Sequence, residues 1–319
     1  VSHANTLLLP DMVTPSQEPR VPIINHARNE LCTLRDLLRF AVSYFNQADL
    51  FYGHGFPTAY EEAAHMILHT LHLTPDQLDL FLDAHITQPE CDQIIHRIEQ
   101  RVAERIPIAY MTNEAWLGDF SFYVDKRVII PRSFITELLQ SQLAPWVKQP
   151  DAIHAVLDLC TGSGCLAVLL AHGFENASVD AVDISAEALE VTLKNIVRYD
   201  LAHAINPIQS DLFNELTGKR YDVIISNPPY VNAESMATLP EEYRHEPRIA
   251  LAAGPDGLAI IRTILSEASN YLTEEGLLIV EIGHNRDILE QSFPHLPFTW
   301  LETSAGDQFV FMLKRSDLT

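Results

Sequence analysis

Basic residues are scarce in this chain: 21 Lys and Arg stand against 43 Asp and Glu, a formal net charge of -22 over 319 residues. Gripping naked DNA or RNA requires a basic footprint, and an acidic body slows the encounter by long-range repulsion. The charge instead favours a basic protein as partner. Cysteine is scarcer still. Its four copies, Cys32, Cys91, Cys160 and Cys165, form no CxxC pair, which argues against a disulfide scaffold and a zinc ribbon. There is no apolar run of about 18 residues, as a membrane helix requires. Nor do the opening residues carry a basic stretch followed by an apolar one, as an export signal does. A soluble, cytoplasmic protein with reduced thiols is the expectation.

With 47% hydrophobic residues, the chain can build one good-sized core and a second, smaller unit. Residues 1–27 hold Pro10, Pro15, Pro19 and Pro22 without a sustained apolar period and are expected to be an extended or disordered lead-in. Over 28–108 the period is helical. Leu31, Leu34, Leu38, Ala41 and Phe45 share one face, as do Ala63, Ala64, Ile67, Leu68 and Leu71. Thr74-Pro75-Asp76-Gln77 has the form of a helix start, and a further helix with Cys91, Ile94, Ile95, Ile98 and Val102 inward must stop before Pro107. Across 109–130 the period falls towards two around Gly118-Asp119, predicting a β-hairpin linker. From 131 to 319 short apolar strands alternate with helical stretches, the signature of a doubly wound, Rossmann-like α/β sheet.

The first strand of that sheet, Ala155–Leu159, runs into Cys160-Thr161-Gly162-Ser163-Gly164, and a helix is expected from Cys165. A glycine-rich turn at a helix start lets a ligand approach the backbone. Gly162, Gly164 and Ala167 even fit the dinucleotide spacing, with Asp183 near the ribose-binding position. Asp158 argues against a dinucleotide, because a carboxylate beside the loop repels pyrophosphate. S-adenosylmethionine carries a sulfonium and an ammonium and no phosphate, so the same carboxylate attracts it. Asp183 then suits the ribose hydroxyls and Asp211 the adenine amino group, each at the end of a successive strand. The expected cofactor contacts are Asp158, Thr161, Gly162, Ser163, Gly164, Asp183, Ile184, Asp211, Leu212 and Asn227. The bland alternative makes Asp158 and Asp183 helix caps and Asp211 a turn residue. Cys160 and Cys165 read as small apolar fillers of the loop and the first helical turn. No metal is expected, since His65, His69 and His72 lie along a helix flank without supporting carboxylates.

The fourth strand, Val223–Ser226, ends in Asn227-Pro228-Pro229-Tyr230. Two successive prolines make a rigid turn with no N–H to offer, so carbonyl oxygens are left for a ligand. Asn227 Oδ1 and the Pro228 carbonyl can accept both N–H groups of an NH2, and Tyr230 can cover its planar face. These four residues are the catalytic candidates, with methyl transfer needing mainly alignment and desolvation. Competing readings are an adenine methylase on nucleic acid, a nicotinamide-dependent oxidoreductase and a non-catalytic module. The first wants a basic face and the second has no use for the turn. The third would be expected to have lost Asn227 or the glycines.

Together, Asp158–Gly164, Asp183, Asp211 and Asn227–Tyr230 resemble the amino-directed methyltransferases. Within them the chain resembles the protein glutamine methyltransferases, through Arg105–Tyr110, Ile130-Pro131-Arg132, Glu246-Pro247-Arg248, Ala250-Leu251, Gly254 and Gly257-Leu258. The resemblance covers nearly everything from Arg28 onward. It implies a helical domain that recognises a protein target, S-adenosylmethionine as methyl donor and a glutamine side-chain amide as acceptor. One branch of the family acts on peptide chain release factors, the other on a large-subunit ribosomal protein, L-three. Ser133-Phe134-Ile135 follows Arg132 where the release-factor branch typically has Pro-Asp, and Phe51–Gly55 resembles the ribosomal-protein branch, from which Phe134 departs where that branch often has proline.

Overall fold

The computed structural model describes residues 20–318. Its first element, α1 (Arg20–Glu30), corrects the expected extended lead-in over its last residues. Ile24 and Ala27 are buried against the helical core, and Pro22 falls in the first turn, where a missing N–H breaks no helical bond. Pro10, Pro15 and Pro19 lie outside the described residues. After α1 come α2 (Leu34–Gln47), α3 (Ala59–Thr70), a tight turn at Pro75–Gln77 leading into α4 (Leu78–Phe81), α5 (Gln88–Glu104) and α6 (Ile108–Thr112). Thr33 starts α2 with a capping box to Asp36, and the Thr74 N–H donates to Gln77 Oε1 at 3.1 Å, as the helix-start motif predicts. His72 lies past the end of α3 at φ 56°, so the three histidines do not share one helix.

The faces read from the sequence meet in one core. Leu37, Phe45, Ala63, Met66, Ile94 and Ile98 are fully buried there. Arg101 is buried among them, 1% exposed. Its guanidinium donates to Glu62 at 2.6 Å, to the Phe51 carbonyl at 3.2 Å and to Glu242 at 3.5 Å. Glu242 comes from the α/β unit and also accepts from the Phe51 N–H and from Arg105. The helical and α/β units are therefore joined by a desolvated charge network.

The hairpin forms as the alternation predicts, with β1 (Ala115–Leu117) antiparallel to β2 (Phe120–Phe122) about Gly118-Asp119. The α/β unit follows: α7 (Ile135–Gln140), β3 (Ala155–Leu159), α8 (Cys165–Gly173), β4 (Ser178–Asp183), α9 (Ala186–Arg198), β5 (Ile205–Gln209), β6 (Tyr221–Ser226), α10 (Ala233–Thr238), α11 (Ala259–Glu267), β7 (Leu272–Glu281), α12 (Arg286–Ser292), β8 (Thr299–Thr303) and β9 (Gly306–Lys314). The seven strands lie in the order β5-β4-β3-β6-β7-β9-β8. Strands β3 to β7 are mutually parallel, and β9 and β8 extend the sheet antiparallel. Pro207 lies in β5, an edge strand, where a missing N–H is tolerated.

Strand period sorts the core into two layers. Val156, Val223, Ile225 and Ile279 face α7, α8 and α9, whereas Leu157, Leu159, Ile224 and Val280 face α11 and α12. Helices on both faces make the doubly wound arrangement expected. Among the described residues, no helix is long and apolar enough to cross a membrane.

Arg101→Ala strands Glu62 and Glu242 as buried charges without their shared partner. Stability should fall by about 3–5 kcal/mol, measured by urea unfolding followed by circular dichroism.

Candidate active site

The strand order reverses between β3 and β6: the chain steps outward through β4 and β5, then returns beside β3. A crevice opens at the carboxyl ends there. Two adjoining cavities occupy it, a cleft of about 140 Å³ over β3 and β4 and a larger one of about 470 Å³ over β6 and β7. Ile129, Asn227 and Ala250 line both.

In the smaller cleft lie Gly162, Asp183, Ile184, Asp211, Leu212 and Asn227, all anticipated from the sequence. Asp183 ends β4 and its carboxylate is already organised: Oδ2 accepts the Gly162 N–H and Oδ1 the Ser185 N–H, both at 2.9 Å. Burial pushes this carboxyl up, opposed by those backbone bonds. Each oxygen keeps a lone pair for a hydroxyl donor. Asp211 stands exposed at the rim.

The rest of the glycine-rich loop is placed behind the cleft. Asp158, Thr161 and Ser163 are at most 5% exposed, and neither they nor Gly164 line it. Asp158 shares the strand face of Val156 and so points under the start of α8. Thr161 Oγ1 donates to its Oδ2 at 2.5 Å, while its Oδ1 is buried with no hydrogen-bond partner. Burial dominates and raises this carboxyl to about 7. Gly164, at φ 79°, is pressed against α9; a Cβ there would meet Thr192 Cγ2 at 2.8 Å. Cys160, read as a filler, lines the cleft at φ 64°, and burial holds its thiol in the neutral form. Among the described residues no cluster of His, Cys, Asp or Glu is arranged to hold a metal.

The Asn227-Pro228-Pro229-Tyr230 turn leaves β6 between the cavities. Pro229 lines the smaller one, Pro228 and Tyr230 the larger, and Asn227 both. Asn227 Nδ2 donates to the Arg132 carbonyl at 3.2 Å, which leaves Oδ1 as the open acceptor. The Tyr230 carbonyl accepts from Asn285 Nδ2 at 2.8 Å, and burial pushes the Tyr230 phenol above its ordinary range.

Sequence reasoning missed Ile129, Tyr243, His284 and Asn285 as lining residues of the larger cavity. Ile129 and Tyr243 flank segments already notable for Ile130-Pro131-Arg132 and Glu246-Pro247-Arg248. Nothing in the local pattern marks His284 or Asn285.

A doubly wound sheet with an acidic cleft at its switch point, and a strand-end Asn-Pro-Pro-Tyr turn between two cavities, defines a methyltransferase. A family model described as methyltransferase small domain matches residues 135–242. Curated relatives named ribosomal protein uL3 glutamine methyltransferase share 55% identity in Neisseria meningitidis serogroup B, over 93% of this chain and 97% of that protein. The identity is 53% in Burkholderia pseudomallei, over 90% and 95%, and 50% in Bordetella pertussis, over 92% and 99%. The chain belongs to the ribosomal protein uL3 glutamine methyltransferase family.

Gly162 and Gly164 both have positive φ, but only Gly164 lacks room for a side chain. Gly162→Ala should cost about 1–2 kcal/mol of backbone strain. Gly164→Ala should cost at least about 1 kcal/mol more, from overpacking against Thr192. Paired thermal melts check the order.

Proposed function

We propose that this chain methylates the side-chain amide nitrogen of a glutamine in ribosomal protein uL3, with S-adenosylmethionine as methyl donor. The observation that carries the reading is Asn227 on the boundary of the two cavities, its Nδ2 tied to the Arg132 carbonyl and its Oδ1 open.

The cleft's chemistry fits that donor. Asp183 and Asp211 are carboxylates, Asp158 lies buried behind the loop with an orphaned Oδ1, and Arg127 is neutralised by Asp125 at 2.7 Å and Glu190 at 2.6 Å. Such a set repels a pyrophosphate and attracts a cation. Asp183 would hold the ribose hydroxyls, Asp211 the adenine amino group, and Asp158 would bias the loop towards positive charge. S-adenosylmethionine supplies, when bound, a methyl carbon on a good leaving group.

The chain's own part is alignment. Asn227 Oδ1 and the Pro228 carbonyl accept the two N–H groups of the substrate amide, holding its plane and raising electron density on nitrogen. Tyr230 packs on the amide and keeps water away. Asp158 has a carboxyl near neutrality, so it can be ionised when a cation enters. The net charge of -22 steers a basic ribosomal protein towards the enzyme, and the helical unit, which carries Phe51–Gly55, provides the docking surface.

Asn227→Ala should slow single-turnover methylation of uL3 by about a hundredfold to a thousandfold and leave the thermal melt unchanged. Mass spectrometry of the glutamine peptide reads the product. A wild-type rate would overturn the mechanism.

The Asp158 carboxyl supplies a pH dependence. Its value is raised to about 7 without ligand, whereas a cation nearby favours the ionised form. Binding must then release a proton below that value. Affinity for S-adenosylmethionine should therefore fall as pH drops below 7, by at most about tenfold per unit, and Asp158→Asn should flatten the profile. Calorimetry in buffers of different ionisation enthalpy measures both affinity and proton release.

A further inference from the structure

The segment Ile130-Pro131-Arg132-Ser133-Phe134 joins the hairpin linker to α7 and passes the carboxyl ends of β6 and β7 as a strap. Two buried carboxylates from different parts of the chain hold it. Glu246, 5% exposed, accepts the Ile130 N–H at 3.0 Å and grips the Arg132 guanidinium with both oxygens, at 2.5 and 2.7 Å. Glu281, the last residue of β7 and 3% exposed, accepts Ser133 Oγ at 2.7 Å and the Phe134 N–H at 2.9 Å through Oε2. Between these anchors the Arg132 carbonyl takes an N–H from Asn227 Nδ2. A carboxamide is planar, so fixing the direction of Nδ2 fixes that of Oδ1.

Neither carboxylate lines either cavity, so neither can touch a substrate or a cofactor there. Buried carboxylates are poor sources of net stability, since desolvation offsets much of what their partners return. Burial alone would push Glu246 up, but His54 and Arg132 hold it near 2. Glu281 has no such cation bound to it, and burial raises it to about 7. What the pair does supply is direction: hydrogen bonds at both ends of a five-residue strap leave its central carbonyl one place to point. The helical unit backs the arrangement. His54 packs 3.8 Å from Glu246 and its ring 4.4 Å from that of Tyr243, whose face carries the Arg132 guanidinium at 5.3 Å.

We propose that Glu246 and Glu281 are positioning residues for methyl transfer, clamping the two ends of the strap so that the Arg132 carbonyl turns Asn227 Oδ1 towards the substrate amide. This rests on the role of Asn227 proposed above. It extends the reacting machinery to two residues that never meet the reactants, one of them reached from the helical unit through His54.

The test is a comparison of single-turnover rates in the full-length enzyme with uL3 as substrate. Glu281→Ala frees one end of the strap and should lower the rate by about thirtyfold to a hundredfold, the scale of a misplaced reacting group. KM for S-adenosylmethionine and for uL3 should stay within about twofold, because Glu281 lines neither cavity. Glu281→Gln keeps an oxygen to accept from Ser133 Oγ and the Phe134 N–H, and should restore the rate to within about threefold of wild type. In an Asn227→Ala background the strap has no side chain to aim, so Glu281→Ala should add less than about threefold. Equal slowing in both backgrounds, or Gln failing to rescue where Ala slows, overturns the proposal, as does a wild-type rate for Glu281→Ala. If Glu281→Ala melts below the assay temperature, Ser133→Ala removes one donor to the same carboxylate. It should slow the wild type by about threefold to tenfold and leave the Asn227→Ala background unaffected; the opposite pattern refutes the clamp. A fully active Asn227→Ala enzyme would instead refute the Asn227 role itself, so the two failures are separate.

Discussion

The parallel pairing of β3 with β6 sets where the glycine-rich loop and the Asn-Pro-Pro-Tyr turn stand. Leu159 is registered against Ser226, and Ser226 Oγ donates to the Leu159 carbonyl at 2.7 Å across the strand ends. That one register puts the glycine-rich loop leaving β3 beside the Asn-Pro-Pro-Tyr turn leaving β6. A slip of β6 by one residue would turn its side chains to the opposite faces. The two apolar layers forbid such a slip, because it would move Val223 and Ile225 out of one core and Ile224 into it.

Around this junction the molecule buries carboxylates where an apolar side chain would pack more simply. Burial raises the carboxyls of Asp158 and Glu281, while Glu246 is held low by His54 and Arg132 beside it. The first lies behind the glycine-rich loop, and the other two hold the strap whose Arg132 carbonyl meets Asn227. Stability alone would favour their removal; the roles proposed for them favour keeping them. The helical unit joins this system through Glu242 as well as Glu246.

Much of this was legible in the residues. Period alone gave β3 without an error at either end, and it marked the positions of β4 to β7, the helical faces and the hairpin about Gly118-Asp119. Proline misled at the start, where Pro22 lies inside α1 because a first-turn N–H has no helical partner to lose, and Ile24 and Ala27 bury the helix against the core. In the site, Gly162, Asp183, Asp211 and Asn227 line the crevice as their strand-end positions imply. Thr161, Ser163, Gly164 and Asp158 do not, because the loop curls back over β3 and turns them inward.

By itself the sequence determined which chemistry is present: an acidic loop, a donor-free turn after a strand, and an amide side chain at its head. These are local properties, set by residue type and by neighbours a few positions away. Tertiary structure alone decided orientation. Arg132 is 95 residues from Asn227, and Ser133 is 148 from Glu281. Nothing in a one-dimensional pattern says that these groups meet. Their contact is a consequence of how the sheet is wound and the strap laid across it, and the direction of one carboxamide depends on it.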